Sequence, residues 1–169
     1  MPHLHAAHRF ARWLSRSPSE ADDIVQEAIL RAYRGFEGLR GSDVKAWLLT
    51  IVRNCHLSMA TQHAGRTFIP LPEETDARDG HVMISPDLDP EGAAMLRDER
   101  RTLTRLMAEL PQEHREVLIL REIEELGYRE IAAVADIPIG TVMSRLARAR
   151  AALRARWLDE GREVPHALP

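Results

Sequence analysis

The sequence predicts an all-α protein: two small helical domains joined by a flexible linker, the C-terminal one containing a helix-turn-helix. Three observations predict it. Aromatic residues make up only 5% of the 169 residues, while alanine, leucine and arginine, all good helix formers, are abundant. No run alternates apolar and polar residues with the β-branched enrichment of a strand. Apolar residues recur instead at three- and four-residue spacing in two blocks. The blocks are separated by a stretch holding Pro70, Pro72, Pro86 and Pro90 with Gly65, Gly80 and Gly92, too long and too broken for a helix of its own. The expected division is residues 1–62, an acidic linker over 63–92, a second unit over 93–158 and a disordered tail over 159–169.

With 44% apolar and 29% charged residues, the composition is that of a soluble globular chain. The net charge of −3 argues against a general nucleic-acid binder, but the charge is unevenly placed. Residues 140–158 carry five arginines and no acid, whereas residues 66–100 carry nine acids against four arginines. The one cysteine, Cys55, excludes an internal disulfide and points to a reducing compartment. No apolar run is long enough to span a bilayer, and the N-terminus lacks the apolar core of a signal peptide, so a cytoplasmic protein without membrane insertion is expected.

The first element is a short amphipathic helix within residues 1–17, buried through Phe10, Ala11, Trp13 and Leu14. His3, His5 and His8 sit at a terminus without a cysteine or acid partner nearby, so no metal site is expected there. Ser17 caps the second helix and Pro18 fits its first turn. That helix runs over residues 18–36 and buries Ile24, Val25, Ala28, Ile29, Ala32 and Phe36. Asp23, Gln26, Glu27, Leu30, Arg31 and Arg34 occupy the opposite side. Leu30 is either a stray leucine on a solvated face or the apolar centre of a charged docking surface.

Gly35, Gly38 and Gly41 then give a loop, after which Ser42 or Asp43 caps a third helix over residues 43–61. Its buried arc is Leu48, Ile51, Val52, Cys55 and Met59, with Trp47 at the edge and Lys45, Leu49, Arg53 and His56 pointing elsewhere. Cys55 on that arc is a small apolar residue, not a nucleophile. In the second block, Leu96, Leu103, Leu106, Met107 and Leu110 mark a helix ended at Leu110-Pro111. Pro111 opens the next, which buries Val117, Leu118, Leu120 and Ile123 and stops before Gly127.

The last two helices form the helix-turn-helix. Tyr128-Arg129-Glu130-Ile131-Ala132-Ala133-Val134-Ala135 is joined through Asp136-Ile137-Pro138-Ile139, a turn of the right length, to the helix beginning at Gly140. At about 100° per residue, Val142, Leu146, Ala149 and Leu153 fall on one narrow apolar stripe. Thr141, Ser144, Arg145 and Arg148 fall on the other side, a set suited to a major groove. Arg150, Arg154 and Arg156 point off that face. No phosphate-binding glycine loop, nucleophile elbow or paired catalytic carboxylates are present, so neither an enzyme nor a cofactor is expected.

Two separated stretches resemble one family, the extracytoplasmic-function (ECF) RNA polymerase sigma factors. Asp23-Ile24-Val25-Gln26-Glu27, Leu30-Arg31-Ala32-Tyr33 and Ala46-Trp47-Leu48-Leu49-Thr50-Ile51-Val52-Arg53-Asn54 resemble their region 2. Leu110-Pro111-Gln112-Glu113-His114-Arg115-Glu116-Val117-Leu118, Tyr128-Arg129-Glu130-Ile131-Ala132 and the segment from Gly140 to Arg150 resemble their region 4. The resemblance implies that Asp23, Gln26, Glu27, Leu30, Arg31 and Arg34 dock on core RNA polymerase, through its β′ clamp helices. It implies that Lys45, Trp47, Arg53 and Asn54 hold and melt the −10 element, with packing and helix stabilisation the equal alternative for Trp47 and Asn54. Tyr128, Arg129, Thr141, Ser144, Arg145 and Arg148 would then serve the −35 element. Residues 56–63 lack the basic cluster that the family usually carries there. The partners implied are core polymerase (β′ clamp helices and β flap), promoter DNA and an anti-sigma factor, with no small-molecule substrate. The alternative is a stand-alone helix-turn-helix repressor or activator, which would need a dimer face or effector pocket that the sequence does not display.

Overall fold

The structure, a computed structural model, describes residues 3–15, 17–36, 43–64 and 90–161. Seven helices occupy the described residues, and no strand is found among them. They are α1 (Leu4–Leu14), α2 (Pro18–Gly35), α3 (Val44–Ala64), α4 (Pro90–Ala108), α5 (Gln112–Glu122), α6 (Tyr128–Ala135) and α7 (Ile139–Asp159). The glycine loop over 37–42 with its Ser42 cap lies outside the described residues, as do residues 65–89 of the expected 63–92 linker and 162–169 of the expected 159–169 tail. So does the side chain of Leu96. Both neighbouring helices enter the expected linker, α3 ending at Ala64 and α4 beginning at Pro90.

Local chemistry starts and stops these helices as the sequence suggests. Ser17 Oγ accepts the Glu20 N–H at 3.1 Å, with proline in the first turn of α2. Asp43 Oδ1 accepts the Ala46 N–H at 3.0 Å and so caps α3. After α5 the Leu126 N–H reaches back to the Leu120 carbonyl at 2.9 Å, with Glu125 left-handed at φ 55°. Asp136 adopts the same conformation, φ 51°, at the end of α6, which turns the chain sharply into α7.

Helices α1, α2 and α3 pack on one another, as do α5, α6 and α7, with α4 against α7. The two units also meet, through α3 on α6 and α1 on α5, and one cluster of buried residues runs through both. This meeting overturns two expectations for α3. Leu49 and His56, expected to point away from the buried arc, are 0% and 6% exposed. Helix α3 is covered on two sides, so a single apolar arc does not describe it. Phe36 is corrected in the other direction: it lies just past the end of α2 and is 59% exposed. No helix among the described residues is long and apolar enough to cross a membrane.

Candidate functional site

Helix α7 is held along one side. Val142, Leu146, Ala149 and Leu153 are all buried. Around the helix from them, Ser144, Ala147, Arg148 and Ala151 are exposed, while Thr141 and Arg145 are half-buried at one edge. Arg148 is the large cation at the centre of the outward face, and it has no ion-pair partner among the described residues. Arg145 is oriented from beside the helix, its Nη2 donating to Glu113 Oε2 on α5 at 2.7 Å. Ser144 Oγ donates to the Thr141 carbonyl at 3.0 Å, its own helix's backbone. Arg150 turns back onto Glu122 of α5 at 2.5 Å, and that carboxylate holds the guanidinium pKa above its ordinary value. Tyr128 and Arg129 are exposed at the start of α6, with the Arg121 guanidinium 5.3 Å from the centre of the Tyr128 ring.

Helix α2 presents a second surface. Asp23, Gln26, Leu30 and Arg34 are exposed opposite the buried Ala21, Ile24, Ala28 and Ala32. Glu27 and Arg31 pair along the helix at 2.6 Å. Leu30 is 52% exposed and Tyr33, one turn on, is 80% exposed. Two large apolar side chains side by side within a charged surround are more than one stray leucine. Tyr33 was not singled out from the sequence; its position one turn beyond Leu30 was the available signal.

The four residues of α3 separate into two pairs. Trp47 is half-buried, its Cζ2 within 3.6 Å of where a Cβ on Gly35 would stand, so the indole lies along the end of α2. Asn54 is exposed. Lys45 and Arg53 instead turn to the second unit, along the same side of α3 as Leu49 and His56. Lys45 Nζ donates to the Glu124 carbonyl at 2.6 Å and lies 3.0 Å from its Oε2. Arg9 reaches the same carboxylate bidentately, at 2.7 and 3.0 Å. Arg53 Nε donates to Glu116 Oε1, and His56 Nε2 lies 3.0 Å from Gln112 Nε2. Glu116 and Glu124 are buried, and burial pushes the Glu116 carboxyl up against the opposing charges of Arg53 and Arg145. Sequence reading missed both acids, because glutamate is almost never fully buried unless paired.

Comparison with known proteins agrees with this two-part layout. Residues 1–66 match the model for sigma-70 region 2, and residues 100–153 match that for sigma-70, region 4. The chain is 34% identical over 154 residues to the ECF RNA polymerase sigma-E factor of Escherichia coli (strain K12), covering 86% of this chain and 79% of that one. It is 36% identical over 140 residues to the RNA polymerase sigma-H factor of Pseudomonas aeruginosa, covering 79% and 71%. Among solved structures, the sigma factor RpoE from Bartonella quintana, crystallised with the anti-sigma factor NepR, superposes with a TM-score of 0.65 at 28% identity, covering 90% of each chain. Both family models fall on the two helical units, and the chain belongs to the ECF sigma factors.

Proposed function

We propose that this chain binds core RNA polymerase through the exposed face of α2 and places α3 and α7 on the −10 and −35 elements of a promoter. The observation that carries the polymerase assignment is Leu30 beside Tyr33, exposed within a rim of Asp23, Gln26, Glu27, Arg31 and Arg34. An apolar centre with a charged rim is the anatomy of a protein interface, and on a DNA-binding chain it calls for a protein partner. The partner is the polymerase, through its β′ clamp helices, with the second unit reaching the β flap. On this reading residues 1–62 serve core binding and −10 melting, residues 93–158 serve −35 reading, and residues 63–92 connect them.

The −35 roles go to Arg148 and Arg145 as base readers, with Thr141, Ser144, Tyr128 and Arg129 toward phosphates. The −10 roles go to Trp47, Asn54, Lys45 and Arg53. The chain performs no chemistry of its own, takes no cofactor and acts where the polymerase acts, in the cytoplasm. An anti-sigma factor is a further partner, as it is for the Bartonella relative in its crystal. Run-off transcription with purified core polymerase tests the reading. Promoter-dependent transcripts are expected with the chain and none without it; DNA binding without any polymerase-dependent transcript would favour a stand-alone repressor.

A further inference from the structure

The cations that α3 would bring to the −10 element are already occupied. Lys45 and Arg9 share the Glu124 carboxylate, whose side chain is 0% exposed, and Arg53 holds Glu116, whose side chain is 7% exposed. Both acids belong to the second unit, and all three cations belong to the first. A carboxylate that accepts from a lysine and from two guanidinium nitrogens presents to them what a phosphate oxygen would. The same side chains cannot satisfy both. The backbone supports the arrangement: Glu124 donates its N–H to the Ile119 carbonyl at 2.9 Å and gives its own carbonyl to Lys45, so this acid is fixed at both ends.

We propose that Glu116 and Glu124 form an internal latch, standing in for DNA phosphates on Lys45, Arg53 and Arg9, so that α3 engages DNA only when the two units part. This rests on the reading of α3 as the −10 face. The latch makes free chain a weak DNA binder without any partner covering it. A ligand that requires the open form sees its affinity reduced by the fraction open. Docking on polymerase, by drawing α2 and α7 to separate sites, would supply the separation.

The test uses the full chain and two readouts. Small-angle X-ray scattering reports whether the units part, and anisotropy of a fluorescein-labelled single-stranded oligonucleotide reports DNA binding. Glu116→Gln combined with Glu124→Gln is expected to enlarge the radius of gyration at unchanged helical content. It is also expected to tighten oligonucleotide binding about tenfold, as when an open fraction near one tenth becomes dominant. Against loss of folding, Arg53→Glu should open the chain and Arg53→Glu with Glu116→Arg should close it again. Unchanged dimensions in the double glutamine variant and in Arg53→Glu overturn the latch. An opened chain whose oligonucleotide affinity is unchanged overturns the −10 role of α3 instead.

Discussion

Arg145 Nη2 and Glu113 Oε2 stand 2.7 Å apart, joining one edge of the outward face of α7 to the first turn of α5. The arginine side chain is 21% exposed and the glutamate 54%, so the pair straddles the surface and is partly screened by water. Its consequence is geometric: a flexible side chain is held in one direction before any DNA arrives. If both Arg145 and Arg148 read base edges, alanine at either should cost about 1–3 kcal/mol and relax selectivity at one position. Glu113→Gln should weaken binding less than Arg145→Ala. Unchanged promoter affinity and selectivity in holoenzyme carrying Arg145→Ala would refute its assignment, leaving Arg148 as the reader.

Leu30→Asp separates docking from folding. The side chain is 52% exposed, and substitutions at such positions usually change stability by less than about 0.5 kcal/mol. Core-polymerase capture should fall by an order of magnitude or more, because a charge placed in the apolar centre of an interface is left without a partner. The thermal midpoint should hold. Tyr33→Ala should act in the same direction. Full capture by both variants would move the docking surface elsewhere.

How much of this the sequence displayed depends on which face of a helix is asked about. The stripe of Val142, Leu146, Ala149 and Leu153 was legible because α7 is buried on one side only, and one-sided burial leaves a clean 3.6-residue period. Helix α3 was half legible. Its arc of Leu48, Val52 and Cys55 is buried as the spacing implies, but Leu49 and His56 are buried too, on the side of Lys45 and Arg53. That second face is held by ion pairs with residues 63 and 79 positions away, and periodicity carries no information about a partner so distant. Glu116 and Glu124 were invisible for the same reason: a charged residue is read as exposed until its counter-ion is known. Phe36 turns on where α2 ends: a period continued through it predicts burial, whereas it caps the helix and is exposed.

The hydrophobic hold on α7 can be tested where it is tightest. Leu146 is 1% exposed on the same turn as Arg145. Leu146→Ala should cost about 2–5 kcal/mol of unfolding free energy, through lost transfer energy and a residual cavity. Chemical denaturation measures it. Because the same leucine fixes the helix that carries Arg145 and Arg148, −35 affinity should fall even below the midpoint temperature. A variant as stable as the parent would mean that α7 is not held by this stripe.

The contact between Asp43 at the start of α3 and Glu130 on α6 makes the meeting of the units sensitive to pH. The neighbouring Glu130 carboxyl, as a hydrogen-bonding partner, holds Asp43 below its ordinary value, helped by the Ala46 and Lys45 N–H groups and by His3. Asp43 in turn raises Glu130, against the opposing pull of the Gly127 N–H and Lys45. Glu130 therefore binds its proton more tightly folded than unfolded, so its contribution is complete below the ordinary 4.5 and is lost as pH rises through its raised value. Asp43 has the opposite sign: its contribution is present above 3.8 and is lost as pH falls. The pair is best formed between these limits. Glu130→Gln should remove the upper slope, because a carboxamide keeps accepting from Gly127, a bond of 2.5 Å in the parent, while donating permanently to Asp43. Thermal midpoints of parent and variant, measured from pH 4.5 to 8, should diverge as pH rises, with the variant more stable at the neutral end. Parallel curves over that range would show that Asp43 does not raise Glu130.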